Sequence, residues 1–161
     1  GEIAGYGAGT LSRYHGRPDA TEAMVWKDER GRTFVRSGDI GYLDEDGFLV
    51  LVDRKKDMII SGGFNVFPAD IEAIIGTHPG VLDCTVIGIA HPKWGETPLA
   101  LVIRKTGIEI PSDDLIVWCN ERLAKHQRIT ALEWRESFPR NALGKVLKRE
   151  LRLAYEGPTD V

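Results

Sequence analysis

The sequence predicts an α+β fold, and three observations predict it. From about residue 55 the strand-like and helical patterns follow one another as βαββαβα, so they are not evenly alternated as a doubly wound parallel sheet requires. The runs VLDCTVIGIA and PLALVIRK are short, apolar and rich in β-branched residues, as buried strands are. Ahead of them, two apolar alternations flank the turn sequence DEDG, which is a hairpin signal. The expectation is a β-rich segment to residue 53, followed over 54–161 by a compact unit with a small mixed sheet flanked by helices.

Each element has its own signal. GEIAGYG is strand-like, Asp19 is placed to cap a short helix ATEAMVW, and RTFVRSGDIGYLD and FLVLVDR form the two arms of the hairpin. This first segment has too few apolar partners to form a domain by itself and reads as the end of something larger. The second unit opens with MII, the glycine pair Gly62-Gly63 and a short strand FNVF. Pro68 then stands in the first turn of a helix ADIEAIIGTH. After the two buried strands and their HPKWGET loop, Ser112 is placed to cap a helix reaching His126. Asp113 and Asp114 lie in its first turn, where the helix dipole favours acids, and Lys125 and His126 lie in its last. ITALEWRE predicts a further strand, and Lys145 to Tyr155 a final helix.

Composition narrows the class. With 161 residues, 42% hydrophobic content and a net charge of −3, the chain reads as soluble and globular, and its mild acidity does not suggest a nucleic-acid binder. No apolar run approaches the roughly 20 residues that span a bilayer, and GEIAGYGAGT lacks the pattern of a signal peptide. The expected location is the cytoplasm, or the cytoplasmic face of a membrane. Cys84 and Cys119 sit in apolar contexts without metal-ligand spacing and are expected to be reduced core residues. His78-Pro79 and His91-Pro92 read as loop punctuation, and His15 and His126 have no partner at metal spacing; no metal site is expected in this chain.

The basic stretch at 140–152 is the one chemical irregularity. On a helix, Leu147, Leu151 and Ala154 share one face, and Lys145, Lys148, Arg149 and Arg152 another, which reads as a solvated basic side. Lys145 follows Gly144 at the end of a loop fixed in part by Pro139. Its side chain is either an ordinary surface charge or a cation projecting from the unit, and the residues alone leave both readings open.

RSGDIGYLDEDGFLVLVDRKKDMIISGGFNVFPADIE, followed downstream by PRNALGKVLKRELR, resembles the C-terminal part of the adenylate-forming superfamily, most closely its fatty acyl-CoA synthetases. The resemblance covers nearly the whole chain, with several motifs in the family's order and spacing. It implies that 1–53 is the end of a large N-terminal AMP-binding domain and 54–161 a mobile C-terminal lid. The implied parent is an ATP-dependent acid–thiol ligase that converts a carboxylic acid, first of all a fatty acid, to an acyl-adenylate with release of pyrophosphate. It then forms the CoA thioester.

The resemblance also implies roles. Asp39, in an S-G-D where most members have T-G-D, holds the adenosine ribose hydroxyls, since a carboxylate accepts from two vicinal hydroxyls at once. Arg54 contacts the ribose or phosphate of the nucleotide, and Lys56 is the hinge on which the lid swings. The SGGFNVFP loop, with Gly62, Gly63 and Phe64, borders the channel for the CoA arm, and the glycines suit a close approach of backbone to a thin ligand. Some relatives carry a lysine at the position of Ile60, so no role for a lysine there transfers. Lys145 reaches the carboxylate and α-phosphate during adenylation. Trp94-Gly95-Glu96 lies in a loop the family also has, and sequence assigns it no role.

No glycine- and serine/threonine-rich phosphate loop and no acyl pocket are visible. The expectation is therefore a C-terminal fragment, inactive alone, whose partners are ATP, CoA, a carboxylic acid and the missing N-terminal domain, with Mg2+ ligands in that domain. The alternatives are an amino-acid or aryl-acid adenylating enzyme of the same superfamily, or a non-catalytic nucleotide- or CoA-binding module.

Overall fold

The computed structural model describes residues 1–155; the last six residues of the expected 54–161 unit lie outside the described residues. The chain divides into two compact units, Gly1–Lys56 and Asp57–Val161.

The first unit is built on one long strand. Strand β3 (Thr33–Leu43) pairs antiparallel with β1 (Glu2–Gly5), β2 (Val25–Lys27) and β4 (Leu49–Arg54). The DEDG hairpin forms as its residues dictate: the Asp44 carboxylate accepts the amides of Asp46 (3.1 Å) and Phe48 (2.8 Å), and Gly47 takes φ +84°. Helix α1 (Pro18–Met24) has no side-chain cap. Asp19 lies in its first turn rather than at the cap position, and Arg17 engages its carboxylate at 2.8 Å. The Val25-Trp26 end of the expected helix is instead strand β2, because Val25 turns extended to pair with Val35.

The second unit has a five-stranded sheet with helices on both faces. The short hairpin of β5 (Ile59–Ser61) and β6 (Phe64–Val66) joins the long antiparallel pair β7 (Val81–His91) and β8 (Gly95–Arg104), and β9 (Ala131–Trp134) runs parallel to β8. The sheet is thus mixed, in an α+β fold. Alternation along β8 sends Ala100 and Val102 toward helices α2 (Pro68–Gly76) and α3 (Ser112–Asn120), while Leu99 and Leu101 pack with Phe138 and with Leu151 of helix α4 (Lys148–Leu153). Ile71, Ile75 and Leu115 are fully buried, each worth about 1.5–3 kcal/mol of apolar transfer.

Four expectations are corrected here. Helix α3 stops at Asn120, short of His126, because the Asn120 amide bonds both the carbonyl and the N–H of Ile129 (2.9 Å each); Lys125–Gln127 forms a separate 3-10 turn. Ser112 is not its cap; Pro111 holds that position, and the Ser112 hydroxyl accepts the Trp134 indole N–H at 2.8 Å. Helix α4 begins at Lys148, not Lys145. Its basic side is solvated only in part: Arg149 is exposed, but its two basic neighbours are not. Lys148 pairs with Glu72 (2.7 Å) and Arg152 with Asp57 (2.8 Å), and all four side chains are at least three-quarters covered.

Candidate functional site

In the first unit, the register of β3 and β4 sets Asp39 opposite Arg54, with Arg54 Nε 3.5 Å from the carboxylate. The Ser37 hydroxyl accepts the Asp39 amide at 3.0 Å, and Gly38 between them takes φ +76°. Ser37, Gly38 and Arg54 line a recess of about 630 Å³ together with Tyr14, Lys55 and Lys56. A carboxylate beside three cations and a hydroxyl is a surface suited to a ligand with both vicinal hydroxyls and phosphates.

Lys56 lies in the 3-10 turn Lys55–Asp57. The Lys55 ammonium is tied to Glu2 at 2.8 Å within the first unit, and the Asp57 carboxylate to Arg152 within the second. Lys56 stands between these two anchored residues at the boundary of the compact units.

The β5–β6 hairpin turns at Gly62 (φ +58°) and Gly63 (φ +85°), conformations that a side chain would strain. Gly62, Phe64, Trp94, Lys125, His126 and Arg128 help to line a cavity of about 690 Å³. The Phe64 ring stacks on His126 at 5.2 Å between centroids. Sequence reasoning found the hairpin and missed the rest of this lining. Trp94 and the Lys125–Arg128 segment reach it only through tertiary folding.

Trp94-Gly95-Glu96 acquires a structural explanation. Strand β5 meets β8 in register only at Ser61 and Gly95, and on either side the loop supplies further acceptors. The Glu96 carboxylate accepts the Ile60 amide at 2.8 Å, and the Trp94 carbonyl accepts the Gly62 amide at 2.9 Å. His91 stacks flat on Trp94 at 4.3 Å, and its Nδ1 accepts the amides of Lys93 and Trp94 (3.2 Å each).

Lys145 lines neither cavity. It ends a tight turn in which Gly144 takes φ +79°, and its side chain is exposed with no ion-pair partner among the described residues. The structure thus groups Asp39, Arg54 and Lys56 in one unit and Gly62 with Phe64 in the other, where Lys145 occupies a separate turn. Among the described residues no cluster of three or more His, Cys, Asp or Glu is arranged to hold a metal ion.

Comparison with known proteins assigns the fold and these motifs to a family. Residues 70–145 match the AMP-binding enzyme C-terminal domain. The chain is 43% identical over 152 residues to the 2-succinylbenzoate–CoA ligase of Geobacillus kaustophilus, covering 94% of this chain and 30% of that protein. Among solved structures, the o-succinylbenzoate CoA synthetase of Bacillus subtilis in complex with its acyl-adenylate intermediate superposes with a TM-score of 0.80 at 36% identity, covering 94% of this chain and 30% of that one. A fatty acyl CoA synthetase of Mycobacterium tuberculosis gives 0.66 at 40% identity, over 96% of this chain and 30% of that one. The chain belongs to the adenylate-forming enzymes and corresponds to their C-terminal part. It spans about 30% of the length of these relatives.

Proposed function

We propose that the chain serves as the lid-bearing part of an ATP-dependent acid–CoA ligase whose acid is aromatic. The curated relatives at 40–43% identity, 2-succinylbenzoate–CoA ligases, favour the aryl-acid alternative over the fatty-acid reading that the motifs first suggested. No helix of the described residues is long and apolar enough to cross a membrane, and the substrates in this reading are small molecules.

The observation that carries the reading is the exposed ammonium of Lys145 at the end of a tight turn, without an ion-pair partner among the described residues. In adenylation a carboxylate oxygen attacks the α-phosphorus of ATP, the bond from that phosphorus to the bridging oxygen breaks, and pyrophosphate leaves with the electron pair. Negative charge shifts among oxygens as this happens. A lysine, with three rotatable donors on a flexible stem, follows those oxygens. Asp39 accepts the ribose hydroxyls and Arg54 contacts the ribose or phosphate of the nucleotide. Lys56 absorbs the backbone rotation between half-reactions. The cavity at Gly62 and Phe64, with Lys125 and Arg128 on its wall, receives CoA, whose thiol arm passes the side-chain-free backbone of the two glycines. Mg2+, when bound with ATP, neutralises phosphate charge; its ligands are assigned to the N-terminal domain of the parent.

The test is carboxylate-dependent pyrophosphate release by the full-length parent across aromatic, fatty, short-chain and amino acids, with and without CoA. Aromatic acids are expected to give the highest kcat/KM and a CoA-dependent thioester. Preference for a fatty acid restores the first reading of the motifs, and no release with any acid leaves a binding module.

A further inference from the structure

Placing an ammonium within reach of a phosphate is not enough; a displacement of about 1 Å in a reacting group costs on the order of a hundredfold in rate. Resting on the adenylation role of Lys145, we propose that Asn141 and Arg140 are positioning residues that fix the backbone of Lys145 to the sheet. The Asn141 side-chain oxygen accepts the amides of Leu143 and Lys145, both at 3.0 Å. The Asn141 amide donates to the Lys145 carbonyl at 2.9 Å, and the Asn141 carbonyl accepts the Gly144 amide at 2.9 Å. Both backbone polar groups of Lys145 are therefore held by one residue.

Arg140 fastens this turn to the body of the unit. One guanidinium nitrogen donates to the Gly144 carbonyl and another to the carboxylate of Asp83 on β7. Arg140 and Val146 form an isolated antiparallel bridge, and the Leu147 amide closes the base of the loop on the Pro139 carbonyl at 2.8 Å. Strand β7 pairs with β8 along nearly its whole length, so it is a rigid anchor. What remains free at Lys145 is its side chain. Lys148 and Arg152, a few residues on, are paired with Glu72 and Asp57, so the fold neutralises these cations and leaves the Lys145 ammonium available.

A turn that only closes the chain would not act through Lys145, and a double-mutant cycle separates the two cases. In the full-length parent, Asn141→Ala and Arg140→Met are compared with Lys145→Ala, singly and combined, in pyrophosphate release and in thioester formation from supplied acyl-adenylate. Asn141→Ala and Arg140→Met are expected to slow pyrophosphate release by roughly ten- to a hundredfold and to change thioester formation by less than about twofold. Asn141→Asp, which keeps the acceptor oxygens, should recover most of the rate. Neither loss should persist once Lys145 is alanine.

Equal losses in both half-reactions, or a loss that survives in the Lys145→Ala background, would overturn the positioning role. So would wild-type pyrophosphate release in Asn141→Ala and Arg140→Met alongside a collapse in Lys145→Ala. Wild-type release in Lys145→Ala would instead remove the functional reading beneath it. If Asn141→Ala fails to fold, Arg140→Met, which touches only the outer fastening, decides.

Discussion

Cys84 shows how much a single residue's surroundings govern its chemistry. Burial, reinforced by the nearby Glu72 and Asp83 carboxylates, pushes its thiol up to about 12, and burial pushes Cys119 up to about 11. For Cys84 the rise of about three pH units lowers the thiolate fraction at pH 8 on the order of a thousandfold. Native protein should therefore resist iodoacetamide at pH 8 at both positions and react on unfolding; rapid native labelling of Cys84 would contradict its described packing. The sign for stability follows. Both states keep the thiol proton below about pH 9. Above it the unfolded chain deprotonates first, so this contribution to stability declines as pH climbs through the folded value of about 12 for Cys84.

The sequence at this scale was legible where type and position suffice: both cysteines are free, and Lys145 stands out by its place after Gly144. It was not legible for Lys148 and Arg152, whose partners Glu72 and Asp57 lie 76 and 95 positions away in the chain. Nor was it legible for Asn141, which works through an acceptor bond to backbone that a residue name does not reveal.

Strand β5 is an element held by another element's side chain. It is only Ile59–Ser61, and its amide at Ile60 is satisfied by Glu96 rather than by a neighbouring strand. Replacing Glu96 with alanine should leave that amide without its partner, at a cost of about 1–2 kcal/mol. Hydrogen exchange at Ile60 is the measurement: at least a tenfold acceleration is expected in Glu96→Ala, with protection kept in Glu96→Gln, whose amide oxygen still accepts. Unchanged exchange in Glu96→Ala would show that the brace is not needed. Sequence patterns located this hairpin and the long strands because period-two burial and β-branched runs are local signals. They overran the helices: Asn120 at the end of α3 bonds the returning backbone at Ile129, and ahead of α4 the Lys145 carbonyl is taken by the Asn141 backbone amide.

At the scale of the molecule, two compact units follow one another with Lys56 at their boundary, and the candidate groups are shared between them: Asp39 and Arg54 in the first, the glycine hairpin and Lys145 in the second. The sequence sets a boundary near residue 53, and the compact units part after Lys56. The contacts that tie Lys55 to Glu2 and Asp57 to Arg152 could not be foreseen from spacing.

The central claim is that Lys145 serves the first half-reaction and not the second. The most direct test compares wild type and Lys145→Ala of the full-length parent in single turnover. One arm follows pyrophosphate release from acid and ATP, and the other follows thioester formation from supplied acyl-adenylate and CoA. The account predicts a loss on the order of 10² to 10³ in the first arm and little change in the second. Equal losses in the two arms, or none in the first, would contradict it.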